Sequence, residues 1–126
     1  MRAVDSNVLI RLITGEDAKQ TEIAERFVAK GAWVSILALV ETAWVLKRVY
    51  RQNAAEVASA VDLLIHNKDL ILQDSDAVVS ALELFRSRPS LGFSDCLMLH
   101  LARKAGHLPL GTFDRALGRV EGAQRL

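Results

Sequence analysis

The stretch over residues 92–117, GFSDCLMLHLARKAGHLPLGTFDRAL, decides the fold of this chain. An acidic residue, Asp95, opens an apolar helix, and Gly106 ends it, since glycine is the usual residue just past a helix terminus. A short apolar run at 108–110 then predicts a strand, and a second acid, Asp114, stands just past it. Helix, glycine, strand and aspartate are half of a βαβ unit. The stretch therefore predicts a parallel sheet with both carboxylates beside its carboxyl edge.

The rest of the chain repeats this alternation of short apolar strands and amphipathic helices. Strands are predicted at 3–4, 32–34, 70–72 and 108–110, with a further edge strand at 123–126. Three helices are predicted at 8–13, 16–30 and 36–50. A fourth begins at the capping box of Asn53 and Glu56, and a fifth begins at Asp74 or Ser75 and ends before Pro89. A sixth runs from Asp95 to Gly106, and a last short helix follows Asp114. This alternation predicts an α/β domain over residues 1–126, with a parallel sheet of four to five strands between two helical layers.

Composition is that of an ordinary globular protein of one domain. The chain has 126 residues, of which 51% are hydrophobic and 25% charged. Its formal net charge of +1 gives no overall signal for nucleic acid or membrane binding, so a polyanion would need a local patch. The single cysteine, Cys96, suits a reducing compartment, and no apolar run approaches the roughly 20 residues of a membrane span. The first residues predict a strand rather than a signal peptide, so we expect a cytoplasmic protein.

Four acidic residues stand in unusual surroundings. Glu41 has apolar neighbours three and four positions away on its helix, which predicts that it lies on the buried face, where a charge is costly unless paired or coordinated. Asp95 repeats this pattern, while Asp5 and Asp114 directly follow apolar strands. Each acid alone has an ordinary structural interpretation, as a helix cap, a turn residue, or a core carboxylate paired with a cation such as Arg48.

The combination of the four acids favours a metal site, because we expect all of them to face one edge of the sheet. Two unit charges 4 Å apart repel by about 4 kcal/mol at an effective dielectric near 20, and a divalent cation removes that cost. All the ligands would be oxygens, and the three histidines, His66, His100 and His107, are scattered. The residues therefore predict Mg²⁺ or Mn²⁺ rather than zinc.

These residues resemble the PIN domain, and more narrowly the VapC-type toxins of bacterial toxin–antitoxin pairs. The likeness is carried by four short motifs in order along nearly the whole chain: Asp5-Ser6-Asn7, Glu41 in LALVETAWVL, Asp95 in FSDCLMLHLARKAG, and Thr112-Phe113-Asp114. Each motif is degenerate, but four in register are fairly specific.

The resemblance implies a three-layer α/β/α sandwich that acts as a metal-dependent endoribonuclease, forms a dimer and is inhibited by a cognate VapB-type antitoxin. By position, the catalytic and metal-binding residues, here called the acidic quartet, are Asp5, Glu41, Asp95 and Asp114. The supporting polar residues are Ser6, Asn7 and Thr112. We expect Asp5 and Asp95 to be the principal ligands of a metal that activates water for attack on phosphorus.

Predicted contacts to partners rest on charge and on apolar helix faces. Phosphate contacts of the RNA are assigned to six basic residues: Arg11, Lys47, Arg48, Arg86, Arg88 and Arg115. The tryptophans Trp33 and Trp44 and the valines Val45 and Val49 stand in apolar surroundings typical of a core. Apolar helix faces are nevertheless plentiful for one small domain, so we predict a homodimer and an antitoxin groove near residues 36–65.

Other functions stay open at this point. The N-terminus also resembles phosphatases of the haloacid-dehalogenase type, in which Asp5 would be a covalent nucleophile, but Asn7 stands where these enzymes need a second aspartate. A receiver-like regulatory module would need an acidic pair at the first strand end, and it leaves Glu41 and Asp95 without a role. An inactive PIN scaffold that only binds a partner is the third alternative, against which the intact acidic quartet argues.

Overall fold

Six α-helices and five short strands make up the computed structural model, which describes all 126 residues. The chain divides into two compact units, Met1–Ser75 and Asp76–Leu126. Every strand pairing is parallel, which confirms the predicted α/β class. None of the helices combines the length and the apolar character that crossing a membrane requires.

The first unit contains a three-stranded sheet and four helices. Its elements are β1 (Arg2–Val4), α1 (Ser6–Thr14), α2 (Ala18–Val28), β2 (Ala32–Val34), α3 (Ile36–Arg48), α4 (Ala54–His66) and β3 (Leu70–Leu72). The strands lie in the order β1-β2-β3, and their register aligns Val4, Val34 and Leu72 in one buried row. A polar residue directly follows each of these buried strand ends, so polar residues stand together at the carboxyl edge of this sheet.

Local capping decides where these helices begin and end. The Ser35 side chain accepts a hydrogen bond from the Ala38 backbone N–H, and Asn53 forms the predicted capping box with Glu56. Gly15 ends α1 with φ of 62°, a left-handed conformation that glycine adopts without a steric penalty. The sequence-based starts of α3 and α4 are therefore confirmed, and α3 ends two residues before the predicted boundary.

The second unit contains two helices and a two-stranded sheet. Its elements are α5 (Ser75–Ser87, which begins at the boundary), α6 (Phe93–Ala105), β4 (Leu110–Thr112), a 3-10 turn (Leu117–Arg119) and β5 (Ala123–Arg125). The rings of Phe85 and Phe93 pack edge to face with centroids 5.9 Å apart, which joins α5 to α6. Gly106 ends α6 with φ of 81°, as the sequence predicted.

Several predicted boundaries and pairings differ from the structure. The strand expected at 108–110 lies at Leu110–Thr112, because Pro109 has no N–H to donate to a strand ladder. Helix α6 begins at Phe93, two residues before Asp95, with Gly92 as its N-cap. The five strands pair as sheets of three and two rather than as one sheet of four to five. Each strand has three residues, and β4 centres on Gly111, so strand pairing in this chain rests on few contacts.

The expectation that the tryptophans and valines lie in a core is wrong for three of them. Trp44 is 59% exposed, and Trp33 and Val49 are exposed too. Helix α3 is apolar on nearly all sides, so hydrophobic periodicity does not identify which side is buried. The side chains of α3 that are buried are Ala38, Leu39, Thr42, Ala43 and Leu46.

Candidate functional site

The first two candidate residues stand where β1 passes into α1. Asp5 is extended, with φ of −95° and ψ of −178°, and its Oδ1 accepts a hydrogen bond of 3.3 Å from the Val8 backbone N–H. An aspartate in this position satisfies a helix N–H that has no intrahelical partner. The carboxylate is exposed and uses one oxygen for the cap, so its second oxygen stays available to a ligand. Asn7 follows in the same turn and is also exposed.

A hydrogen bond over a long stretch of chain links this turn to α3. The Ser6 hydroxyl, on a residue only 5% exposed, donates to Oε1 of Glu41. A buried hydroxyl with a charged acceptor makes a strong hydrogen bond, which holds Glu41 in one orientation. Ser6, which the resemblance implies is a supporting polar residue, therefore contacts one member of the acidic quartet.

The prediction that Glu41 lies on a buried face of its helix is wrong. Glu41 is exposed, and it shares its side of α3 with Leu37 and Trp44, which are 76% and 59% exposed. Its apolar neighbours at three and four positions do not mark a buried face, because α3 carries apolar residues on both its buried and its exposed sides. What distinguishes Glu41 is its hydrogen bond with Ser6, not its burial.

In the second unit, Asp95 lies in the first turn of α6 and is half-buried. Negative charge is favourable there because the helix dipole leaves partial positive charge at its N-terminus. The neighbouring Cys96 is fully buried, and burial, with a smaller effect of the Asp95 charge, raises the pKa of its thiol to about 11. The thiol is therefore protonated at neutral pH, so it is neither a ready nucleophile nor a metal ligand.

Asp114 lies in a compact turn after β4. Its Oδ1 accepts a hydrogen bond of 2.8 Å from the Leu117 backbone N–H, and its own N–H donates to Oγ1 of Thr112 at 3.0 Å. Both bonds join residues at most three positions apart, so this acid is positioned by local geometry. Asp114 is exposed and, like Asp5, accepts a backbone hydrogen bond with one carboxylate oxygen.

The donor chemistry of the candidate acids fits a hard divalent cation. All four supply oxygen, and Asp5, Glu41 and Asp114 each accept these hydrogen bonds with only one of their two carboxylate oxygens. The structure contains no group of three or more His, Cys, Asp or Glu side chains arranged to hold a metal ion. Each unit contributes two acids of the acidic quartet, and the ligand set remains a prediction.

The six basic residues predicted to contact RNA differ in their surroundings. Arg11 is half-buried: its Nε donates to Oε1 of Gln20 at 2.7 Å, and its Nη1 lies 3.7 Å from a carboxylate oxygen of Glu16. The guanidinium of Arg48 lies over the ring of Trp44, 5.9 Å from the ring centroid. The other four are exposed: Lys47, Arg86, Arg88 and Arg115.

A pocket of about 540 Å³ lies beside Asp5 and was not expected from the sequence. It is lined by β1, α1 and α2 through Ala3, Val4, Asp5, Asn7, Val8, Arg11, Gln20, Ile23, Ala24 and Phe27. Ile23 on α2 is 55% exposed, although it is a large apolar residue. No local pattern separates a residue that lines a pocket from one in a core, so only the packing reveals this feature.

Comparison with known proteins confirms the resemblance to the PIN domain. The sequence model of the PIN domain matches residues 2–123, and a search of curated proteins finds no match. PIN domains are generally metal-dependent nucleases, so the match identifies a nuclease-type fold, and alternating helices and parallel strands are consistent with its α/β/α layers. With nearly its whole length matched, the chain belongs to the PIN domain family.

Proposed function

We propose that this protein is an endoribonuclease that hydrolyses RNA phosphodiester bonds with the help of Mg²⁺ or Mn²⁺ bound by Asp5, Glu41, Asp95 and Asp114. The observation that carries the proposal is the hydrogen bond from Ser6 to Glu41, which links Glu41 to the residue that directly follows Asp5 in the chain. This hydrogen bond gives the Glu41 carboxylate a fixed orientation, which a metal-binding carboxylate requires.

The residues of the chain have separate tasks in this proposal. A bound divalent cation supplies a water of lowered pKa and neutralises charge on the phosphoryl oxygens. Asp5 and Asp95 are the principal ligands, and Glu41 and Asp114 hold further water or a second ion. Ser6 and Thr112 keep their neighbouring acids in place through the hydrogen bonds described above. Exposed cations such as Arg115 bind the phosphates that flank the cleaved bond.

We also propose a toxin role, with a VapB-type antitoxin as inhibitor, a homodimer as the assembled form and the cytoplasm as its location. Support comes from the exposed apolar side chains of α3 and α4, among them Leu37, Trp44 and Leu63, which are 76%, 59% and 64% exposed. Apolar exposure of this kind on helices is typical of surfaces that bind protein. Mass measurement at micromolar concentration tests the dimer, and a monomer would contradict it.

Cleavage of a panel of structured RNAs with Mg²⁺, with Mn²⁺ and with chelator tests the nuclease function. Wild type is compared with Asp95→Asn, which removes one ligand charge at nearly constant size. We expect cleavage to require the metal and to fall at least about a hundredfold in the variant. Asp76→Asn is the matched control, because Asp76 occupies the first turn of α5 as Asp95 does that of α6. Its cleavage should stay within about twofold of wild type.

The other outcomes of this experiment discriminate between the alternatives. Cleavage that survives Asp95→Asn would show that the site is misassigned or that a contaminating nuclease is present. Cleavage by neither protein, with both folded, would contradict the nuclease proposal and favour a PIN scaffold that only binds a partner. A phosphorylated Asp5 trapped from a phosphate ester would instead support the phosphatase mechanism.

A further inference from the structure

The pocket beside Asp5 has the form of a small-molecule subsite. Its volume of about 540 Å³ is within the range of ligand pockets, roughly 300 to 1,000 Å³. Three apolar side chains that line it, Val8, Ile23 and Phe27, come from two different helices. Asp5 lines the same pocket, so a group bound there lies next to a proposed catalytic acid.

Phe27, the aromatic residue of the pocket lining, is held in place by Arg2, which does not line the pocket. The Arg2 guanidinium lies over the Phe27 ring, 3.8 Å from its centroid, and Arg2 Nη2 donates to the Phe27 backbone oxygen at 3.1 Å. A cation over an aromatic face is attracted by the ring quadrupole, so the ring and its backbone are restrained together. Phe27 is therefore a fixed surface rather than a freely rotating side chain.

The polar part of the lining offers hydrogen-bond donors. Oε1 of Gln20 accepts from Arg11 Nε at 2.7 Å, which commits the amide oxygen and leaves the Gln20 NH₂ group as a donor. Arg11 itself carries positive charge, and Asn7 adds a second amide to the lining. A ligand with an apolar planar body and carbonyl acceptors on its edge matches this combination.

We propose that this pocket binds a nucleobase of the RNA strand next to the cleaved phosphate, and that it prefers bases with carbonyl acceptors, such as uracil or guanine. The proposal rests on the proposed nuclease function. Single-stranded RNA is recognised by bases that leave the stack, pack against apolar or aromatic side chains and hydrogen-bond through their edges. An apolar side chain of a protein partner would use the walls of the pocket but not the donors of Arg11, Gln20 and Asn7.

A nucleotide titration tests the pocket without requiring catalysis. In chelator, uridine and guanosine 5′-monophosphates are added to ¹⁵N-labelled wild type, with ribose 5-phosphate as the ligand that lacks a base. We expect the amide signals of Val8, Ala24 and Phe27 to shift with both nucleotides and to stay in place with ribose 5-phosphate. Absence of nucleotide-dependent shifts at these amides up to millimolar concentration would overturn the proposal.

A matched pair of variants keeps this test specific. Ile23→Gln makes an exposed wall of the pocket polar, and Leu63→Gln makes the same type of change at a similarly exposed residue of α4, outside this pocket. Nucleotide affinity should fall about tenfold in Ile23→Gln, the scale of one lost base-packing contact, and stay within about twofold in Leu63→Gln. Equal losses in both variants would contradict a base site in the pocket.

Cleavage of an RNA with one abasic nucleotide beside the scissile bond separates the two proposals. Wild type should cleave this RNA about tenfold more slowly than the intact RNA, and Ile23→Gln should cleave both at similar rates. Metal-dependent cleavage without this difference would overturn the base pocket and leave the nuclease function intact, with the pocket then free for a protein side chain. Nucleotide binding in the pocket of a protein that cleaves nothing would contradict the nuclease function and retain the base site.

Discussion

The two units of this protein position their candidate acids in opposite ways. In the first unit, Ser6 reaches across 35 positions of the chain to hydrogen-bond Glu41. In the second unit, Thr112, Asp114 and Leu117 form two hydrogen bonds within six consecutive residues. The first arrangement exists only when α1 and α3 pack together, while the second needs little more than one turn of chain. The positions of the candidate acids in the two units therefore depend on tertiary packing to different degrees.

Deleting one hydroxyl in each unit tests whether the long-range hydrogen bond stabilises the protein more than the local one. Ser6→Ala removes a buried donor to a charged acceptor and should lower the free energy of unfolding by about 1.5 kcal/mol. Thr112→Val removes an acceptor in a solvent-accessible turn and should cost about 0.5 kcal/mol. Urea denaturation of both variants measures the difference. A larger loss for Thr112→Val than for Ser6→Ala would show that the comparison is wrong.

A double-mutant cycle tests whether the effect of Ser6 acts through Glu41. Ser6→Ala and Glu41→Leu, alone and combined, should show a coupling free energy of about 1 kcal/mol, because the two side chains are in direct contact. Independent effects that simply add would mean that the hydroxyl stabilises α1 in another way.

At Asp114, the contribution of the local hydrogen bond can be separated from that of the charge. The side-chain oxygen of asparagine can accept the same hydrogen bond from the Leu117 N–H, so Asp114→Asn should leave the free energy of unfolding nearly unchanged, whereas Asp114→Ala should lower it by about 1 kcal/mol. Both variants should lose RNA cleavage if the charge binds metal. Thermal or urea unfolding measured beside a cleavage assay distinguishes these roles, and an Asn variant that is fully active would remove Asp114 from the acidic quartet.

The smallest effect is expected for the pH dependence of stability, to which His100 in the second unit contributes. Burial, with the nearby Arg103 charge, lowers the pKa of His100 on α6, and Glu83 opposes this shift. As pH falls through about 6.5, the ordinary value for histidine, the unfolded chain binds a proton more readily than the folded protein, so stability decreases. His100→Gln should weaken the decrease in urea midpoint between pH 7 and pH 5. An unchanged decrease would assign the pH dependence to other groups.

Much of the fold was predictable because its signals are local. Ser35 and Asn53 cap α3 and α4 where the sequence predicted, and Gly106 ends α6. A cap depends on residues within one turn, and a left-handed helix end depends on a single glycine, so neither requires knowledge of distant parts of the chain. The strand boundary at Pro109 was missed although its cause is also local, since a residue without an N–H suits the approach to a strand better than its interior.

The amino-acid sequence alone was enough for the alternation of helices and strands, for the helix caps and for membership of the PIN domain family, whose sequence model matches residues 2–123. Only the tertiary structure decided that Glu41 is exposed and bonded to Ser6, and that Ile23 and Phe27 line a pocket beside Asp5. The physical reason is the range of the interactions. Hydrogen bonds and backbone preferences within a turn are encoded by neighbouring residues, whereas the choice of a buried face depends on which distant surfaces pack against it.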